Sequence, residues 1–142
     1  MTEEEREDFL KRFDETEGTL VGFCVMGGIF SEGIDLKEEK LIGSIIVGTG
    51  LPGIGTEREL LKAKFDAQGK KGFDYAYRFP GMNKVMQAAG RVIRTAKDIG
   101  VVVLLDERFA QREYTELYPR EWNNLQYTSL ERIEEQLKEF WE

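Results

Sequence analysis

Apolar and polar positions along the chain follow two rhythms. Three short runs are apolar at nearly every position: Thr19 to Met26, Leu41 to Val47 and Val101 to Leu105. Such runs, rich in Val, Ile and Leu and bounded by glycine or acid, read as buried strands. Around them, apolar residues recur at helical spacing. Residues 3–14 place Phe9, Leu10 and Phe13 on one stripe behind a glutamate-rich first turn, where negative charge suits the helix dipole. Thr56 and Glu59 form a capping box that predicts a helix to about Gln68. A longer helical stretch spans Asp74 to Thr95, with a break expected near Pro80 and Gly81. Ala110 to Leu117 reads as a helix stopped by Pro119. A second capping box, Thr128 to Glu131, opens a last helix expected to bury Leu130, Ile133, Leu137, Phe140 and Trp141. Strands alternating with helices predict one α/β domain over residues 1–142, with a mainly parallel sheet. In such sheets ligands gather at the carboxyl ends of the strands.

The most informative helical segment is Gln87-Ala88-Ala89-Gly90-Arg91-Val92-Ile93-Arg94. Gln87, Arg91 and Arg94 stand at i, i+4 and i+7, one face of a helix, with Asn83 on the same side. Met82, Val85, Ala89 and Val92 form the opposite face, flanked by Met86 and Ile93. Gly90 lies beside the arginines, where a glycine lets a ligand approach the backbone. One face therefore offers an amide and two guanidinium forks, which match phosphate oxygens. Two solvated surface arginines near a helix end are the competing reading.

Composition narrows the chemistry. The chain has 142 residues, 41% apolar and 33% charged, an ordinary globular mix with no run long enough to span a membrane. The acidic N-terminus resembles no signal or transit peptide, which predicts a cytoplasmic location. There is no histidine and a single cysteine, Cys24, expected to be a small buried hydrophobe. Ser-His-Asp and Cys-His catalysis, His-based zinc sites and an internal disulfide are thereby excluded. The net charge of −7 is unevenly spread: residues 61–100 hold nine Lys or Arg against three Asp, so this stretch is +6 and the remainder −13. A basic working face on an acidic body follows.

Two glycine-rich segments compete for attention. Gly48-Thr49-Gly50-Leu51-Pro52-Gly53 matches G-x-G-x-x-G after a strand, but Pro52 sits inside the turn and the next helix starts only after Thr56. A glycine-rich connection is the better reading than a dinucleotide site. Gly27-Gly28-Ile29-Phe30-Ser31-Glu32-Gly33-Ile34-Asp35 puts three glycines, a hydroxyl and two carboxylates on one loop after an apolar run. Such a loop can turn N–H groups to anionic oxygens and carboxylates to hydroxyls or cations. A simple tight turn remains the alternative.

The segments at 27–35 and 87–94 resemble motifs V and VI of superfamily 2 helicases, in the wording of the DinG/XPD-type DNA helicases. Their lead-in Tyr77 to Lys84 resembles that group, as does the exit from Gly100 through Asp106-Glu107-Arg108-Phe109 to Leu117-Tyr118-Pro119 and Trp122. The resemblance spans roughly residues 8–125. It implies a RecA-like, P-loop NTPase-type second motor domain, truncated at its N-terminal side.

The resemblance also implies roles. ATP would lie between two motor domains, with Arg91 and Arg94 as arginine fingers and Gln87 positioning water or touching the γ-phosphate. Gly33 and Asp35 would serve the nucleotide, Asp35 at the ribose or as a relay to motif VI. Gly28, Ser31 and Lys84 would face single-stranded DNA. The chain contains no G-x-x-x-x-G-K-[ST], no motif II acid pair and no four-cysteine iron–sulphur set. ATP and Mg²⁺ would thus be held mainly by the N-terminal motor domain of the same protein, and this chain alone is expected to be inactive. An uncovered sheet edge is expected to promote self-association. A stand-alone, non-enzymatic module for nucleic acid or a phosphate ligand is the alternative function.

Overall fold

The structure is a computed structural model and describes residues 2–15, 17–28, 41–93 and 97–142. Helix α1 (Glu3–Glu15) is followed by strand β1 (Gly43–Val47), helix α2 (Thr56–Ala67), a π-helix (Asp74–Arg78) that runs into α3 (Phe79–Ala89), and strand β2 (Val101–Leu105). A 3₁₀ turn (Glu107–Ala110), the short helix α4 (Arg112–Thr115) and helix α5 (Leu130–Trp141) complete the chain. Strands β1 and β2 pair in parallel, Gly43 opposite Val101 and Val47 opposite Leu105. The crossover between them carries α2, the π-helix and α3, so the expected α/β organisation is present.

The pleat and the helix period together build the core. In β1, Ile46 is buried while Ile45 and Val47 on the opposite face are 69% and 68% exposed. Against Ile46, Val102 and Leu104 lies the apolar face of α3: Met82, Val85 and Ala89 are at most 3% exposed. Val92, just past the helix, is 4% exposed. This is the core face that the sequence pattern predicts. Phe109 and Tyr114 close the cluster from below β2.

Glycines set how closely α3 lies on the strands. A Cβ at Gly81 would sit 2.6 Å from the carbonyl oxygen of Thr49, and one at Gly50 would sit 2.7 Å from that of Gly81. At the other end a Cβ at Gly100 would sit 2.4 Å from Val92 Cγ1 and 2.9 Å from the Ile42 carbonyl oxygen. Helix α3 therefore starts beyond the carboxyl end of β1 and finishes at the amino ends of both strands, antiparallel to them. The G-x-G-x-x-G segment is a connection, as expected. Gly48 and Gly50 take φ of +81° and +65°, and Gly50 abuts the helix backbone.

The expected break at Pro80 is a widened turn instead. Proline brings no N–H, and in α register its partner would be the carbonyl of Ala76. Phe79 N–H bonds five residues back to Asp74, and the Arg58 guanidinium donates to the Ala76 carbonyl at 2.8 Å. The helix thus passes through Pro80 without interruption.

Other expectations are corrected. Thr19 to Val25 is no strand: among the described residues the segment has no ladder bonds, Phe23 is 94% and Val25 79% exposed, and Cys24 is exposed. Gly22 lies instead against Phe9 and Phe13 of α1, where a Cβ would come within 2.9 and 3.0 Å of their rings. The first capping box does not form as such. Gly55 is the N-cap, extended at φ −160° and ψ 158°, and the Glu59 carboxylate accepts from the Tyr77 hydroxyl. In α5 the N-cap is Ser129, and the expected stripe is covered only in part: Ile133 and Leu137 are half-buried, but Leu130 is 78% exposed and Phe140 and Trp141 47%. Between Ala110 and Leu117 only Arg112 to Thr115 is α-helical. The motif helix ends at Ala89, with Gly90 as its C-cap at φ −65° and ψ −5°.

The close helix–strand approach yields a prediction. Gly81→Ala should destabilise the fold by about 1–3 kcal/mol, the cost of overpacking a filled site. Gly53→Ala, with nothing within 4 Å of the added carbon, should stay within about 0.5 kcal/mol of wild type. Urea denaturation midpoints of the two variants measure the difference.

Candidate functional site

The exposed side of α3 and the turn after it carry the candidate chemistry. Burial of Met82, Val85 and Ala89 leaves Asn83 and Gln87 facing outward, both exposed. After Ala89 the chain tightens: Arg91 N–H bonds to Ala88 O at 3.2 Å and Val92 N–H to Ala89 O at 3.1 Å, both three residues back. This turn seats Val92 in the core while Arg91 is half-buried beside an exposed Gly90. An amide, an uncovered stretch of backbone and a guanidinium therefore lie together at one end of the helix. The i, i+4 spacing of Gln87 and Arg91 is realised by a helix end rather than by a continuing helix.

The helix leads into β2, as the sequence order requires. Because α3 runs antiparallel to the strands, Gln87 and Arg91 lie toward the amino ends of β1 and β2. The carboxyl ends face the Gly48 to Gly50 loop and the first turn of α3.

The first part of the other glycine-rich segment meets the same helix. A Cβ at Gly27, whose φ is +80°, would lie 3.1 Å from Lys84 Cδ and Cε and 3.3 Å from Nζ. The Lys84 stem thus lies along the Gly27 backbone, and Lys84 is half-buried. Gly28 closes a turn through its N–H to Val25 O at 3.0 Å. Lys84 precedes Gln87 by three residues, about one helical turn, so Gly27, Lys84 and Gln87 share one flank of α3. Ser31, Gly33, Asp35 and Arg94 lie outside the described residues.

The side-chain donors at the end of α3, a guanidinium and an amide, suit an anionic phosphate, whereas the backbone N–H groups of Gly90, Arg91 and Val92 are already bonded within the helix end. Among the described residues no three His, Cys, Asp or Glu side chains come together to hold a metal, and no helix is long and apolar enough to cross a membrane.

One constellation was not singled out from sequence. At the carboxyl end of β2 the Asp106 carboxylate accepts from the Arg108 backbone N–H at 2.9 Å and from its guanidinium at 2.9 and 2.7 Å. Asp106 is the N-cap of the 3₁₀ turn, and its Oδ2 stands 4.0 Å from the Cβ position of Gly48. The Arg108 hydrogen bonds hold the Asp106 carboxyl below its ordinary pKa, and Asp106 in turn raises that of Arg108. An Asp and an Arg two apart at the end of an apolar run were the available signal. Nearby, the Tyr118 hydroxyl donates to Phe109 O at 2.7 Å, and burial pushes its pKa up to about 12.

Comparison with known proteins places these residues in context. The family model for the helicase C-terminal domain matches residues 1–125. The chain is 36% identical over 106 residues to the regulator of telomere elongation helicase 1 homolog of Caenorhabditis briggsae, covering 68% of this chain and 11% of that protein. It is 31% identical over 119 residues to a probable ATP-dependent helicase of Methanocaldococcus jannaschii, covering 78% and 18%. The ATP-dependent DNA helicase chl-1 of Caenorhabditis elegans is 33% identical over 105 residues, covering 73% and 13%. The chain thus spans less than a fifth of the length of these relatives.

The Asp106–Arg108 pair generates a prediction with a definite pH dependence. Asp106→Ala should cost about 1 kcal/mol, the usual worth of a lost cap. A carboxyl whose pKa is depressed by folding stabilises above its unfolded value, here 3.8, and that contribution fades as pH falls through the lower folded value. The difference in thermal midpoint between wild type and Asp106→Ala should therefore be full near pH 6. It should shrink below about pH 4.

Proposed function

The chain belongs to the helicase C-terminal domain family, and we propose that it serves as the second motor domain of an ATP-dependent DNA helicase. The observation that carries this reading is the end of α3, where Gln87, exposed Gly90 and Arg91 lie opposite a fully buried face. In this role Arg91, with Arg94, supplies guanidinium groups to the γ-phosphate of ATP bound against the N-terminal motor domain of the same protein. Gln87 positions the attacking water or touches the same phosphate. Gly33 and Asp35 complete the nucleotide side, while Gly28, Ser31 and Lys84 contact single-stranded DNA. The Gly27–Lys84 contact supports a link between these two functions, since it seats the glycine-rich segment on the helix that ends in Arg91. Mg²⁺ belongs to the other motor domain.

Arginine fingers act on charge that develops in the transition state, and contribute ~10³–10⁵ in rate, or ~4–7 kcal/mol. In the full-length protein, Arg94→Ala should abolish DNA-stimulated ATP hydrolysis while leaving nucleotide and DNA binding largely intact. Arg94→Lys should rescue poorly, because an ammonium lacks the guanidinium fork. Arg91→Ala should behave alike, and the double variant should be far less than additive. Phosphate release and a nucleotide-binding titration on the same samples decide. Wild-type turnover in Arg91→Ala, Arg94→Ala and the double variant, or phosphate release near 1 s⁻¹ by the 142-residue chain alone, overturns the reading.

We also propose self-association of the isolated chain through a sheet edge. Each strand has an edge without a neighbouring strand among the described residues, beside the exposed side chains of Ile45, Val47 and Leu105. Light scattering at high concentration should show a dimer or larger species, and a strict monomer would sink the idea.

A further inference from the structure

Helix α2 ends in a Schellman motif. Gly69 takes φ +72°, its N–H bonds to Asp66 O at 3.0 Å, and Lys70 N–H reaches back to Phe65 O at 3.0 Å. The backbone of Lys70 is therefore tied to Phe65. The π-helix brings a second ring to the same place: Tyr75 stacks on Phe65 with centroids 4.1 Å apart and planes 18° apart, and Phe79 meets Tyr75 edge-on at 5.1 Å. Lys70 Nζ stands 5.4 Å from the Phe65 centroid and 5.5 Å from the Tyr75 centroid. Nearly equal distances to two rings so close together place the ammonium beside the pair, not on top of it.

The ring pair is only partly used by the fold. Tyr75 is 37% exposed and Phe73, two residues before it, 39%. The surrounding stretch 61–78 carries five Lys or Arg against two Asp, in a chain whose net charge is −7. Of those acids, Asp74 is committed to Arg78, and Asp66 to the Gly72 N–H at 2.8 Å and to Lys62 at 3.5 Å. A π-helix is uncommon in α-helical proteins and is frequent at functional sites. Here it presents an aromatic side chain outward beside a lysine whose backbone is tied to Phe65.

We infer that Tyr75, stacked on Phe65 and flanked by Lys70, is a base-stacking contact for a single nucleic-acid strand, with Lys70 at the adjoining phosphate. The inference rests on the single-strand binding proposed above but assigns it a separate surface. Phe79 and Arg91 mark opposite ends of α3, roughly 15–20 Å apart at 1.5 Å per residue. An exposed aromatic stack accepts any base, because every base has a π-face, and a neighbouring cation meets the phosphate that follows. Stacking at one end of α3 thereby anchors the strand away from the phosphate-facing turn at the other.

The test titrates a short fluorescein-labelled oligothymidylate, and an abasic strand of the same length, with the 142-residue chain at low salt. Tyr75→Ala should weaken oligothymidylate binding about five- to a hundredfold. Tyr75→Trp should restore it, and the abasic strand should bind wild type and Tyr75→Ala alike. Lys70→Gln should lower the slope of log affinity against log salt by about one. A strand carrying 5-iodouracil, irradiated with the unaltered chain, should cross-link at Tyr75 or Phe73, which answers the question even where a variant does not fold. Equal binding by Tyr75→Ala and wild type, or cross-links elsewhere only, overturns this inference and leaves the motor-domain reading standing. Binding that responds to salt but not to the presence of bases also overturns it, and points to an acidic partner. No binding of either strand overturns the inference together with the single-strand contacts of the motor-domain reading, while the arginine variants test nucleotide chemistry separately.

Discussion

Everything assigned to this domain depends on how closely one helix can lie on two strands. Gly81 at one end of α3 and Gly100 beyond the other leave no room for a side-chain carbon against the backbone of residues 49–50 and 42. The approach at Gly81, with that of Gly100 to Val92 just past the helix, fixes the axial position of α3 as well as its distance from the sheet. Once the axis is fixed, the 3.6-residue period determines the rest: Met82, Val85 and Ala89 go inward, so Asn83, Gln87 and the turn at Arg91 must go outward. The placement of the candidate site is thus a consequence of core packing, and needs no separate stabilising interaction.

The second constraint is the missing N–H of Pro80. A helix that must cross a proline can kink, stop or widen. Here it widens into a π-helix, and Arg58 supplies the donor for the Ala76 carbonyl. The same widening sets Tyr77 against Glu59 and Tyr75 against Phe65. A single residue that cannot donate a hydrogen bond thus accounts for a guanidinium contact, a hydroxyl–carboxylate contact and an aromatic stack.

Much of this was legible in the residues. Strands β1 and β2, helices α1 and α3, and the buried face of α3 follow from periodicity, because each has a partner that rewards its pattern, whereas α2 was read from a capping box. Thr19 to Met26 and the stripe of α5 show where periodicity stops being sufficient. Their apolar patterns are as good as those of β1 or α3, yet Phe23 and Leu130 are exposed, because a pattern specifies a face and not the surface that covers it. The first capping box fails for a local reason. Gly55 already adopts the extended N-cap conformation one residue before Thr56, and the Glu59 carboxylate has a better donor in Tyr77. Asp106–Arg108 was missed because a two-residue spacing within a strand marks only a shared face and gives no sign of a carboxylate–guanidinium pair. Its geometry exists only once the strand ends and the 3₁₀ turn begins.

The location of Arg91 also constrains how an anion can be held there. The loop-to-helix junctions that bind phosphate most readily use a helix N-terminus, where unbonded N–H groups and the dipole both favour negative charge. Arg91 stands at a C-terminus, where the last carbonyls point outward and the dipole favours cations. An arginine is stabilised at that position, but a phosphate brought to it gains nothing from the helix itself. Recognition must come from side-chain charge and from the donor geometry of the guanidinium, against a local field of the wrong sign. Such a site holds an anion weakly on its own, and becomes effective only when a second surface supplies the remaining donors. In the proposed motor domain this makes the arginine end of α3 responsive to closure against a partner domain rather than a resident nucleotide pocket.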